Sequence, residues 1–67
     1  MKVNSSVINN VYYNDSNGEM IIEFWNGDVY CYEDIPKSLY EVFIESESIG
    51  KFFHLNVKNK FHFKKEN

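Results

Sequence analysis

Arginine is missing from this chain: its basic residues are seven lysines, set against ten acids, for a net charge of −3. The planar guanidinium is the usual reader of phosphate and guanine on nucleic acids. Its absence under an acidic balance argues against tight binding to a nucleic-acid polymer. A single cysteine, Cys31, excludes an internal disulfide and a cysteine-based zinc framework, and it suits a reducing compartment. His54 and His62 have no cysteine or acid at ligand spacing beside them, so no metal site is expected. No run is long and apolar enough to span a membrane, and Met1-Lys2-Val3-Asn4 opens no signal peptide, which places the protein in the cytoplasm. No nucleophile paired with a base and no paired acids stand out, so no catalytic residue and no cofactor are expected, and the chain is read as a non-enzyme.

What the chain does have is aromatic residues, 18% of its length. Sixty-seven residues make one domain near the lower limit for folding on a single core, and without a disulfide or metal the remaining source of stability is self-association. The lysines are unevenly placed. Lys51, Lys58, Lys60, Lys64 and Lys65 fall in the last third against Glu66, while the other acids crowd between Asp15 and Glu47. A locally basic end of this kind suits a small anion.

The organising stretch is Glu19 to Glu33, EMIIEFWNGDVYCYE. Two segments rich in β-branched and aromatic residues flank Asn26-Gly27, the strongest short-range hairpin signal. Two registers are open. A two-residue turn pairs Trp25 with Asp28 and sets Tyr30 and Tyr32 on the face opposite Met20, Ile22 and Phe24. A three-residue loop over Trp25-Asn26-Gly27, with Gly27 in a bulge, puts all five on one face.

Ser6 to Tyr13 reads as a first strand, with Val7, Ile8, Val11 and Tyr13 inward and a bulge near Asn9-Asn10, where the alternation breaks. Asn14 to Gly18 is a turn. Pro36 opens a helix over PKSLYEVFIESE, with Leu39, Val42 and Phe43 on its apolar stripe and Tyr40 and Ile44 flanking. Ser46 to Gly50 breaks it, and Ser48 caps a second, shorter helix that buries Ile49, Phe52, Phe53 and Val57. Phe61-His62-Phe63 reads as a short extended piece. The fold class is α+β: a three-stranded antiparallel meander with one or two helices on one face and room for a short C-terminal strand. The single domain spans residues 1–67, with 1–4 and 64–67 frayed.

The order of these residues resembles the KTSC domain family, small domains that stand alone in bacteria and phages and close some lysyl-tRNA synthetases. The family's opening Ser, Ile and Val-Gly-Tyr-Asp are matched by Ser6, Ile8, Val11, Tyr13 and loosely Asn14. Its alternating apolar residues, Gly and Tyr-x-Tyr are matched by Met20, Ile22, Phe24, Gly27, Tyr30 and Tyr32, and its Val-Pro by Ile35-Pro36. Its Ser-x-Gly, aromatics and Ile-Arg are matched by Ser48, Gly50, Phe52, Phe53, Val57 and Lys58. Tyr12 departs from the usual Gly, Glu45 and Ser46 from a small residue, and Lys58 from Arg. The resemblance implies one core face shared by the apolar set and the two tyrosines, hence the bulged loop. Ile21, Trp25, Val29 and Cys31 are then left as an apolar outer strip for a homo-oligomer interface.

For function, the leading expectation is a non-catalytic module binding a nucleotide-type anion. Its phosphate is expected at Ser48-Gly50 with Lys51 and Lys58, at a helix start, and its base on Tyr30, Tyr32 or Trp25. For a phage source this takes the form of a small oligomer that sequesters a nucleotide signal. A protein-interaction module using the outer strip is the alternative. RNA binding, which the synthetase association implies for the family, comes third because of the charge and the missing arginine. The plainer readings are tyrosines that pack in the core, an ordinary helix cap, and a Cys31 that packs without reacting.

Overall fold

A computed structural model of the chain describes residues 3–67, so the expected fraying at Met1 and Lys2 lies outside the described residues. Three strands follow one another, β1 (Ile8–Asn14), β2 (Glu19–Phe24) and β3 (Val29–Tyr32). Helices α1 (Lys37–Ile44) and α2 (Ile49–Asn56) come next, then a fourth strand, β4 (Phe63–Lys65). The strands pair antiparallel in the order β1-β2-β3-β4, and both helices lie against one face of the sheet. The architecture is the expected α+β meander with the C-terminal strand added.

The hairpin takes the bulged register. Met20 faces Tyr32, Ile22 faces Tyr30, and the Phe24 amide donates to the Asp28 carbonyl (2.9 Å). The Gly27 amide closes the turn on the Phe24 carbonyl (3.0 Å), and Gly27 itself sits at φ +98°, in the left-handed region where a side chain is strained. Met20, Ile22 and Tyr32 therefore share the buried face with Phe24 and Tyr30 packed beside them. The break in β1 also appears where the alternation fails, as a shift between Ile8 and Asn10 that keeps both Ile8 and Val11 buried. Val7, read as inward, precedes the strand and is exposed.

Ile35-Pro36 is bolted to the sheet before α1 begins. The Ile35 amide donates to the Gly18 carbonyl (2.9 Å), and the Tyr13 hydroxyl donates to the Ile35 carbonyl (2.7 Å). Tyr13 also stacks on Tyr40 of α1 at 4.5 Å. That stacking corrects the phase of the helix. Its inward stripe is Leu39, Tyr40, Phe43 and Ile44, and Val42, assigned to the stripe from sequence, is 57% exposed. The helix ends at Ile44, short of the Glu47 limit read from sequence, because the Ser46 hydroxyl turns back to accept the Ser48 amide (3.2 Å). In α2, Ile49, Phe53 and Val57 are buried, and Phe52 stacks on Phe43 at 5.6 Å.

The C-terminal stretch read as a frayed tail is ordered as strand. Lys64 and Lys65 pair with Cys31 and Tyr30, and the Glu66 amide donates to the Val29 carbonyl (2.8 Å). The Asn67 carboxamide clips the end to the hairpin: its Nδ2 donates to the Gly27 carbonyl (2.7 Å) and its Oδ1 accepts the Val29 amide (3.1 Å). Backbone pairing, the Asn67 carboxamide and an ion pair from Lys65 to Asp28 (3.5 Å) hold a segment whose lysine-rich composition argues for solvent. At the other end, Val3 packs on the core and donates its amide to the Asn9 carbonyl (3.3 Å).

Candidate functional site

The bulged register turns alternate residues of β3 toward the helices, and Phe53 of α2 packs against Phe24 and Tyr32. What remains between is a cleft of about 390 Å³, with Tyr30, Tyr32, Phe24, Phe53 and Phe63 as its aromatic walls. These five rings form one network. Phe53 meets Phe24 and Tyr32 edge-on, each at 5.5 Å, and Phe63 from β4 meets Tyr30 at 5.6 Å and Tyr32 at 5.3 Å. The edge-to-face contacts of Phe53 and of Phe63 with Tyr30 favour the ring quadrupoles, and with the tilted Tyr32–Phe63 pair they fix each ring against its neighbours, so the cleft is preformed.

Tyr32 is only 4% exposed, and Tyr30 is half-buried. Neither hydroxyl meets a hydrogen-bond partner among the described residues, and neither is sealed from water. Burial, and then the neighbouring Tyr30, pushes the Tyr32 phenol up from its ordinary range, so it is a neutral donor and acceptor near neutral pH. The polar rim comes from both ends of the fold. Asn26 and Asp28 stand at the hairpin tip, and His54, Lys58 and Asn59 follow from α2 and its exit. Asn59 takes φ +65°, which ends α2 and turns the chain toward β4. Lys58 pairs with no carboxylate among the described residues.

Of the residues picked from sequence, Tyr30, Tyr32, Gly50 and Lys58 come together in this cleft. Ser48 and Lys51 do not. They line a second, polar recess of about 300 Å³ with Glu47 and the Asn4–Val7 segment, which adjoins the cleft across Val7 and Gly50. Ser48 precedes α2 in extended conformation but makes no side-chain capping bond. Trp25 stands apart from the cleft: its indole N–H donates to the Ser5 carbonyl (2.9 Å) and its amide to the Val7 carbonyl (3.0 Å). Phe24, Phe53, Phe63, His54, Asn26, Asp28 and Asn59 line the cleft without having been picked from sequence as its residues. Tyr-x-Tyr names the floor, but the walls come from elements far apart in the chain.

The outer face also differs from the expected apolar strip. Across it run Tyr12, Ile21 and Cys31 in register, with Glu23 and Val29 in the row beside them. Cys31 is 1% exposed, covered within its own subunit, and Trp25 lies at the sheet end instead of on the strip. Burial pushes the Cys31 thiol up, with Glu19, Glu66 and Glu33 adding to the rise and Lys64 opposing it. A thiol held neutral is a poor nucleophile, as its packing role requires. Among the described residues no group of three His, Cys, Asp or Glu is placed to hold a metal, and no helix is long and apolar enough to cross a membrane.

The comparisons with known proteins bear on the fold. The model of the KTSC domain matches residues 4–61. The chain belongs to the KTSC domain family. A KTSC domain protein from Yersinia pestis, known from a crystal structure, superposes with a TM-score of 0.94 at 31% identity, covering 100% of this chain and 94% of the other. Among curated proteins, none matches. The matched residues of the KTSC domain hold Tyr30, Tyr32, Phe53 and Lys58, while Phe63, which closes the cleft, lies just beyond the match.

Proposed function

We propose that this KTSC domain is a non-catalytic binding module for a nucleotide-type anion, acting as a small homo-oligomer. The observation that carries the reading is a cleft walled by rings that holds two phenol hydroxyls and Lys58, none of which has a partner among the described residues. A planar heterocycle gains on the order of 1–3 kcal/mol from stacking on an aromatic side chain, and a lysine supplies the point charge for a phosphate. Lys58 is favoured over Lys51 for the anion: the recess at Ser48 and Lys51 also holds the Glu47 carboxylate, which repels a phosphate, whereas the carboxylate of the cleft, Asp28, is ion-paired with Lys65.

A thermal-shift screen with mono-, di- and cyclic nucleotides tests the proposal. The expected result is a rise in Tm for at least one nucleotide, lost in Lys58→Glu and in Tyr30→Ala while both variants stay folded. No shift for any nucleotide on the folded protein would remove the reading.

A further inference from the structure

Resting on the nucleotide reading, a further step concerns which base the cleft accepts. Asp28, Tyr30 and Tyr32 are alternate residues of one extended segment, and all three line the cleft. Alternate residues on one strand face stand about 6.7 Å apart, so a ring lying on Tyr30 has a carboxylate at one edge and the second phenol at the other. The two ends also differ in what they offer. Gly50, in the first turn of α2, lies against Val7 at the hairpin tip. The chain leaving α2 returns at the opposite end of β3, where the Glu33 amide donates to the His62 carbonyl (2.9 Å). Asp28 and Asn26 thus mark the tip end, and Lys58 and Asn59 follow α2 on the way to the opposite end, where His62 meets Glu33.

We propose that the cleft selects a guanine-type base, whose N1–H and 2-amino donors meet the Asp28 carboxylate while its phosphate lies toward Lys58. Guanine carries those two adjacent donors on the side of the ring away from the sugar, so a nucleotide laid along the cleft puts donors at one end and negative charge at the other. Adenine offers an acceptor at N1, whose lone pair faces the carboxylate unfavourably. The carboxylate already has two neighbours and keeps free lone pairs for a base. Lys65 sits 3.5 Å from Oδ1, and Asn26 Nδ2 donates to Oδ2 (3.4 Å), leaving a second amide hydrogen for a base oxygen.

Calorimetric titration of the whole protein with GMP, IMP and AMP tests the assignment. GMP is expected to bind at least about tenfold tighter than AMP, with IMP, which lacks the 2-amino group, in between, since a bidentate contact discriminates by that order. Asp28→Asn should lose the preference and still fold, the side chain being on the rim. Lys65→Met, which removes the ion pair and leaves the carboxylate, should keep it. AMP binding as tightly as GMP, an Asp28→Asn variant that still prefers GMP, or a Lys65→Met variant that loses the preference would each overturn the assignment and leave the nucleotide reading standing. Failure of all three nucleotides, together with a blank nucleotide screen, removes that reading as well.

Discussion

Gly27 shows how much one residue decides. A Cβ added there would meet nothing within 4 Å, so the whole cost of a side chain lies in the backbone at φ +98°. Gly27→Ala is therefore expected to destabilise the domain by about 1–2 kcal/mol, read as a lower urea midpoint with an unchanged slope. The same residue sets the register that brings Tyr30 and Tyr32 onto the helix side, so its effect reaches the cleft. Asn26-Gly27 made the hairpin legible in the sequence, but the residues by themselves left both registers open, and only the resemblance to the KTSC domain pointed to the bulge. Val42 was misplaced because residues 39, 42 and 43 and residues 39, 40, 43 and 44 both satisfy a helical period. The choice between them was made by Tyr13, a residue on another element.

At the scale of elements, β4 is the part that composition half hid. A short extended piece at Phe61-His62-Phe63 was expected, with residues 64–67 frayed after it, yet the free edge of β3 and the Asn67 carboxamide recruit the lysines as well. Its Phe63 touches both tyrosines, so the strand is a wall of the cleft as well as an edge of the sheet. Truncation after His62 should lower Tm by roughly 10 °C, the equivalent of about 2 kcal/mol in a domain of this size, measured by circular dichroism. Tyrosine fluorescence should rise in solvent quenching at the same time. An unchanged melting curve would show that β4 contributes nothing to the packing of the tyrosines. The cleft was half legible for the same reason: its floor lies in one short motif, its walls in segments that only the finished sheet brings together.

For the whole molecule, the question is what meets the outer face of the sheet. Tyr12 and Ile21 stand there beside Glu19 and Glu23, so a second copy docked on this face sets acid near acid. Association through it should strengthen with salt, which screens like charges beyond roughly 8–10 Å near physiological ionic strength. Light scattering at micromolar concentration is expected to show a mass above the 8.0 kDa monomer, rising between low and high salt and lost in Ile21→Glu. A monomer mass at every salt concentration would end the assembly proposal. The strand order bears on time as well as on shape. β1, β2 and β3 are joined to their neighbours by short turns and can zip together locally, whereas β4 reaches β3 only after both helices have been threaded between them. Closing that longer loop comes at an entropic disadvantage, so the last strand should arrive last, and a nascent domain would spend its first moments with its aromatic floor still open on one side.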